Sequence, residues 1–182
     1  MRSRSSLRRC SASACLLLLG FVSIFPAHAQ QFRLQTAPQL LVPVADRDVF
    51  GLGLGASLAL TSALNDFIGP YAGIGVTSIQ PAASDLESSL LLATVGGGME
   101  LFTYPTARLQ VGGFFGGGAY AGSYRSGTES TPTGNLFWQV GVDAGYRLSP
   151  DLTLSGGVSY VDLRSRTGSF YRGLVVSARV GL

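Results

Sequence analysis

The sequence contains no lysine, one histidine and two cysteines, and charged residues make up only 13% of its 182 positions. Cys10, Cys15 and His28 all precede residue 30, so the remainder of the chain has neither residue type. Disulfides, zinc sites built on His or Cys, and nucleophilic catalysis through Ser–His or Cys–His pairs are therefore excluded beyond that point. We expect no enzymatic activity and no cofactor.

The positive charge of the chain is confined to its beginning. Four of the 13 basic residues lie in the first ten positions, and from residue 30 onward nine arginines face ten acidic residues. A nucleic-acid-binding protein is therefore excluded, because such a protein needs a basic surface. No apolar run reaches the roughly 18–20 residues of a membrane-spanning helix.

Residues 1–29 have the features of a secretory signal peptide. Four arginines precede an apolar stretch from Cys15 to Phe25, and Ala27-His28-Ala29 has the small-x-small pattern of a cleavage site. We predict cleavage after Ala29, which leaves residues 30–182 as one exported domain. A membrane anchor is disfavoured because the apolar stretch is short and ends in a cleavage pattern.

Beyond the leader, apolar residues alternate with small or polar ones at a period of two, which indicates β-strands. The pattern predicts eight strands, at about 32–44, 49–62, 67–79, 89–103, 107–125, 135–148, 152–164 and 171–182. Each is long enough to cross a bilayer as a tilted strand, which takes about 9–11 residues. Pro38 and Pro43 fall in the first strand, so that strand is expected to be kinked or to begin later.

The predicted connections alternate in length. Residues 63–66, 104–106 and 149–151 are short turns, whereas residues 80–88 and 126–134 are longer and polar. The connections at 45–48 and 165–170 are of modest size. Short periplasmic turns and longer external loops are typical of outer-membrane barrels, and an even number of strands places both termini on the periplasmic side.

The two faces of the strands differ in chemistry. One face is rich in Leu, Val and Ala and suits lipid, whereas the other carries small side chains that suit the narrow interior of an eight-stranded barrel. Trp138 and Tyr146 lie on the apolar face about 20 Å apart along the membrane normal, as interface aromatics do, and Tyr160 is a third candidate. Asp162 shares the face of Tyr160 and is expected at the rim. A soluble lipocalin-like barrel with an apolar interior is the alternative.

The inward face carries two groups of candidate functional residues. Six charged residues are predicted to form a network across the periplasmic half of the lumen: Arg33, Glu100, Arg108, Asp143, Arg147 and Arg179. A hairpin turning near Tyr104 and Pro105 would pair Glu100 with Arg108. The outer half of the lumen is predicted to be uncharged, with a lining of Tyr71, Tyr120, Tyr124 and Gln139. The charged group is either a hydrogen-bonded plug, since charges held away from water need partners, or a gate or an anion site.

The leader, the eight amphipathic strands and the alternating connections together resemble the small outer-membrane barrels of the OmpA, OmpX and OmpW type. The resemblance implies an all-β fold, an eight-stranded antiparallel up-and-down transmembrane β-barrel, in the outer membrane of a Gram-negative envelope. It implies outer-membrane lipid and the outer-membrane assembly machinery as partners. Such chains usually end in an aromatic residue, whereas this one ends in Leu182.

Two functions remain open at this stage. The first is a structural or surface-interaction role for a barrel whose lumen is largely plugged. The second is a narrow pore, or an OmpW-like transporter, for small or apolar solutes.

Overall fold

The computed structural model describes residues 32–45, 47–82, 88–126, 129–149, 152–165 and 168–181. The predicted leader, residues 1–29, lies outside these ranges. Eight β-strands are present: β1 Phe32–Pro43, β2 Phe50–Ser62, β3 Ile68–Pro81, β4 Ser88–Thr103, β5 Leu109–Ser126, β6 Glu129–Ser149, β7 Leu152–Ser165 and β8 Gly168–Gly181. None of the described residues forms a helix long and apolar enough to span a membrane.

The strands form one closed antiparallel barrel. Each strand pairs with its neighbours in sequence, and β1 pairs with β8 to close the sheet. Closure leaves no free sheet edge along the shared length of the strands, which satisfies the backbone donors and acceptors without help from solvent. The predicted fold, an all-β antiparallel barrel of eight strands, is confirmed.

Proline affects the seam at which the barrel closes. β1 begins at Phe32 and contains Pro38 in its middle, so the prediction that this strand begins later is wrong. The ladder between β1 and β8 pairs Thr36 with Val180 and Gln39 with Ser177, but it has no pair at Ala37 or Pro38. A proline has no N–H to donate, so this interruption is the local consequence of its position.

β5 and β6 are the longest strands; β5 is paired with β4 up to Ser126, whereas β6 continues beyond its pairs with β7. β6 has 21 residues and β5 has 18, against 12 in β1. The register continues to the pair Ser126–Glu129, whereas β6 pairs with β7 only from Phe137 onward. The prediction of a loop over residues 126–134 is therefore wrong, because β6 is a strand from Glu129 onward and pairs there with the continuing strand β5.

The turns at the opposite end are short and closed by side-chain acceptors. The Asn65 Oδ1 atom accepts hydrogen bonds from the backbone N–H groups of Phe67 and Ile68, both at 2.9 Å. Thr106 Oγ1 accepts from the backbone N–H of Leu109 at 3.0 Å. Such side-chain-to-backbone bonds fix the turn, and thereby the register of the strands that position the lumen side chains.

Candidate functional site: the barrel lumen

Alternation places the two faces of the strands as the sequence predicts. Large apolar side chains on the outer face are exposed, among them Leu54 at 69% and Val142 at 64%. Trp138 and Tyr146 lie on this face, and the ring of Tyr160 packs against Trp138 with 5.4 Å between centroids. The opposite face of each strand points into the lumen, where the candidate functional residues are found.

Three of the six predicted network residues meet in the lumen. Arg179 Nη1 lies 3.1 Å from Asp143 Oδ2 and 3.7 Å from Glu100 Oε1. The guanidinium group also lies 4.8 Å from the ring centroid of Phe114. All three charged side chains are less than a fifth exposed, so the arginine supplies the compensating charge that two partly buried carboxylates need. We call Glu100, Asp143 and Arg179 the ion cluster.

The predicted pair of Glu100 with Arg108 is wrong. Thr103 pairs with Val111, so the hairpin turns about residue 107 rather than near Pro105, and Glu100 lies opposite Phe114. Arg108 is exposed in the turn, where its Nη1 donates to the Tyr146 hydroxyl at 3.5 Å. This hydrogen bond raises the pKa of the Arg108 guanidinium.

The other two predicted network residues lie apart from the ion cluster. Arg147 Cζ lies 5.8 Å from the ring centroid of Tyr104, a cation–π contact at the turn end of the barrel. Arg33 lines a cavity of about 70 Å³ at the same end, together with Glu100 and Asp143. Parity therefore placed Glu100, Asp143 and Arg179 in the lumen correctly, but Arg108 is exposed in the turn, and the contacts of the described residues do not join all six in one network.

The residues predicted to line the outer lumen separate into two groups. Gln139 Nε2 donates to the Tyr71 hydroxyl at 3.0 Å in the middle of the barrel. Tyr120 is 4% exposed and donates from its hydroxyl to the backbone carbonyl of Arg164 at 2.8 Å. Tyr124 packs against the same buried cluster as Tyr120. Tyr71 and Gln139 are thus joined by a side-chain hydrogen bond, whereas Tyr120 and Tyr124 belong with the buried apolar residues.

An apolar cluster fills the loop end of the lumen, and sequence analysis missed it. Its most deeply buried members are Ile79, Leu90, Leu92 and Tyr171, each at most 2% exposed. The complete set is Leu41, Phe50, Ile79, Leu90, Leu92, Tyr120, Val161, Leu163, Tyr171 and Val175. The signal was the appearance of large apolar residues at inward positions near the loop end of several strands, where the rest of the inward face is small or polar.

Between the apolar cluster and the ion cluster lies a cavity of about 130 Å³. Its lining includes Tyr71, Gln139, Phe114 and Ser159, and it borders the closing seam through Gln39 and Ser177. Gly116 faces this space, and a side chain at that position would collide with the Tyr71 hydroxyl. Among the described residues no group of three His, Cys, Asp or Glu side chains is arranged to hold a metal ion.

Comparison with known proteins identifies structural neighbours but no sequence relatives. Neither a protein-family model nor a curated protein sequence matches the chain. The solved structure of neisserial surface protein A (NspA) is similar over 85% of this chain and 99% of its own, with a TM-score of 0.65 and 14% identity. Ail, the attachment invasion locus protein of Yersinia pestis, covers 84% of this chain and 97% of its own, with a TM-score of 0.51 and 13% identity.

A major outer membrane protein of Thermus thermophilus is also similar, over 85% of this chain and 98% of its own, with a TM-score of 0.55 and 16% identity. At these identities the likeness concerns the fold. The chain has the fold of the small eight-stranded outer-membrane β-barrels.

Proposed function

We propose that this protein is an integral outer-membrane barrel with a closed lumen and a structural or surface-interaction role, and that it has no enzymatic activity. The observation that carries the proposal is the apolar cluster that occupies the loop end of the lumen. A conducting barrel needs a continuous polar path, and fully buried apolar side chains oppose one.

The outer face supports the membrane placement. Its exposed residues in the middle of the strands are Leu, Val, Ile and Phe, a composition that is costly in water and favourable in lipid. Trp138 and Tyr146 lie eight residues apart on β6, or about 20 Å along the normal for a strand tilted by about 40°. That distance is close to the height of the apolar band of such barrels, about 25 Å.

The ion cluster supports a closed lumen at the other end. Arg179 bridges two carboxylates that lie on β4 and β6, so the three strands are connected across the barrel. Breaking these contacts to admit a solute would leave charges without partners, which is costly in a poorly solvated site. The cavities of about 130 and 70 Å³ therefore lie on either side of a cross-lumen contact.

The surface role is supported by the extended part of the β5–β6 hairpin. Residues 129–136 of β6 continue beyond the last pair with β7 for about 26 Å of strand. Ser123 and Ser130 are exposed on this extension and their hydroxyl groups are hydrogen-bonded at 2.6 Å, so the extension is ordered by side chains as well as by the ladder. The name of the similar Ail protein, attachment invasion locus, supports an interaction role of the same kind here.

The leader completes the proposal. Residues 1–29 would direct export and be cleaved after Ala29, and the outer-membrane assembly machinery would insert residues 30–182. N-terminal sequencing of the membrane-extracted protein should begin at Gln30. A sequence beginning at Met1 would contradict the cleavage.

Conductance of the refolded chain in a planar bilayer tests the closed lumen. The wild-type protein should show no discrete openings, with insertion verified by a heat-modifiable gel shift. Leu92→Ser, inside the apolar cluster, should introduce openings, whereas Leu91→Ser on the adjacent outward position should not. Regular openings of the wild-type protein would contradict a closed lumen.

Labelling of intact cells tests the orientation. The exported chain has no cysteine, so Thr131→Cys on the extended hairpin gives a single reporter for a membrane-impermeant maleimide. Thr131 and Thr106 are both exposed, at opposite ends of the barrel. Thr131→Cys should be labelled and Thr106→Cys should not, and the reverse result would contradict the proposed orientation.

A second function is favoured by one observation, the cavity beside the interrupted seam. The cavity of about 130 Å³ is bordered by Gln39 and Ser177, next to the two positions at which β1 and β8 do not pair. A small or apolar solute could pass between the lumen and the membrane there. Gln39→Cys with Ser177→Cys, a registered pair, should form a disulfide that blocks such passage. Unchanged solute uptake on oxidation would exclude this route.

A further inference from the structure

A row of polar side chains crosses the otherwise apolar outer face near the loop end of the barrel. Trp138 on β6 lies opposite Asp162 on β7, and Asp162 lies opposite Arg172 on β8. Residues directly opposite in antiparallel strands have Cβ atoms about 5 Å apart, so these three side chains are neighbours. Arg164 follows two positions after Asp162 on the same strand.

Asp162 is buried in this row and contacts its neighbours through one carboxylate oxygen, Oδ2, while Oδ1 is buried without a hydrogen-bond partner. Its side chain is 5% exposed, although its position on the strand places it on the outer face. Its Oδ2 atom accepts a hydrogen bond from Trp138 Nε1 at 3.1 Å and lies 3.5 Å from Arg164 Nε. The ring of Tyr160 packs against Trp138, with 5.4 Å between the ring centroids. Asp162 lies level with Trp138, and its expected position at the rim of the membrane stays a prediction.

The contact through Nε determines how Arg164 is presented. The Arg164 side chain is 58% exposed, and the atom bound to Asp162 is Nε rather than a terminal nitrogen. A guanidinium group whose Nε faces one carboxylate can direct its terminal N–H groups toward a second anion. Arg172 is also exposed and lies on the other side of Asp162. Two arginines thus flank one carboxylate, with a net positive charge.

Charges on the outer face are confined to this end of the barrel. Among the described strand residues, alternation places only four charged side chains outward: Arg125, Asp162, Arg164 and Arg172. Arg125 lies on the extended part of β5, opposite Ser130 and beyond the last pair of β6 with β7. The other three lie beside Trp138, at the level where interface aromatics meet lipid headgroups.

We propose that Arg164 and Arg172 bind the phosphate group of an anionic membrane lipid, in preference to a zwitterionic one, against the outside of the barrel, with Asp162 as a positioning residue for Arg164. Arginine matches phosphate through paired N–H donors, and the interface is where a lipid presents that group. This lipid site rests on the proposed function only because it requires the barrel to lie in a bilayer. Each arginine should enrich anionic lipid at this position on the order of five-fold.

The only tryptophan of the chain lies in the proposed site and reports on it. The full chain without its leader is refolded into phosphatidylcholine vesicles that contain a small fraction of lipid with brominated acyl chains, which quench indole emission on contact. Brominated phosphatidic acid should quench Trp138 more than the same fraction of brominated phosphatidylcholine. Equal quenching by the two lipids would overturn the proposal.

Variants assign the effect to the two arginines. Arg164→Gln with Arg172→Gln should remove the excess quenching, whereas Arg125→Gln, which removes one outward charge elsewhere, should keep it. Excess quenching that persists in the double variant would overturn the proposal. If the double variant does not fold, Arg172→Gln alone is measured: it should reduce the excess quenching, and an unchanged excess would overturn the proposal. Millimolar inorganic phosphate should leave the excess intact, and its loss would assign the site to free phosphate instead of lipid.

A heat-modifiable gel shift distinguishes failure of the proposed membrane function from failure of the lipid site. A wild-type chain that shows no shift in any vesicle contradicts the proposed membrane function. A chain that inserts but shows equal quenching contradicts the lipid site alone.

Discussion

Removal of the central arginine is the sharpest test of how the lumen is stabilised. Arg179→Gln would leave Glu100 and Asp143 in a shared, mostly buried site without the cation that lies 3.1 Å from one and 3.7 Å from the other. At an effective dielectric constant of about 20, these distances correspond to attractions of about 5 and about 4 kcal/mol before the cost of desolvation. The variant should therefore be clearly less stable than the wild-type protein.

The net effect is smaller than the attraction because the free carboxylates regain some hydration. Removal of one partner from a buried ion pair typically costs about 3–5 kcal/mol, and the adjacent cavity of about 70 Å³ gives the carboxylates access to water. We expect Arg179→Gln to lower the free energy of unfolding by about 3 kcal/mol. For a urea dependence of about 2 kcal/mol per molar, the unfolding midpoint falls by roughly 1.5 M.

Urea unfolding in lipid vesicles, followed by the emission of Trp138, measures this change. Glu100→Gln is the matched control, because it removes one carboxylate and leaves the shorter contact of Arg179 with Asp143 intact. It should alter stability by less than about 1 kcal/mol. Adding Glu100→Gln and Asp143→Asn to Arg179→Gln should restore part of the loss, since no unpaired charge then remains. A midpoint for Arg179→Gln within about 0.3 M (roughly 0.6 kcal/mol) of wild type would show that Arg179 does not stabilise the lumen through these contacts.

Two further substitutions test the membrane face and the packing of the lumen. Val142→Arg places a charge halfway between Trp138 and Tyr146, where an arginine facing lipid costs about 2–4 kcal/mol. The fraction of folded protein in vesicles, measured by the gel-shift assay, should therefore fall. Thr131→Arg on the extended hairpin is the control and should fold to the wild-type level. Gly116→Val should displace the Tyr71 hydroxyl and lower the free energy of unfolding by about 1–3 kcal/mol, which is measured as a lower urea midpoint. Gly156→Val is the control and should leave the midpoint unchanged, because a Cβ atom at Gly156 would lie 3.7 Å from its nearest heavy atom.

Strand alternation predicted the architecture because it is a local property of the chain. Each strand needs only apolar residues on one face and small ones on the other, and all eight strands were found from that rule. The hairpin extension was missed because Glu129 to Gly134 contains Ser, Thr and Pro132, which are typical of loops. Its strand structure depends on pairing with β5, in which Pro132 lies opposite Ser123. A proline is tolerated there since no described residue of β7 pairs with β6 at that position.

The lumen contacts could be predicted only in part. Parity assigned Glu100, Asp143 and Arg179 to the interior, but which charges meet depends on the turn centre of each hairpin and on distances across the barrel. The turn about residue 107 shifts the partner of Glu100 away from Arg108, and the cation that reaches it comes from β8. No local pattern encodes such a contact between strands that are distant in sequence.

The groups that a ligand or partner can reach lie mainly on the outside of the barrel, at its loop end. Side chains of the ion cluster satisfy one another, and the apolar cluster excludes water at the loop end, so the interior offers few groups to a ligand. The Tyr171 hydroxyl is buried without a hydrogen-bond partner, whereas the polar groups that an external ligand can reach lie outside: the terminal nitrogens of Arg164, the exposed Arg172 and the extended part of the β5–β6 hairpin. Because all of these lie at the loop end, a barrel oriented with its turns in the periplasm would present them together at the outer surface of the membrane, where both lipid and external partners are encountered.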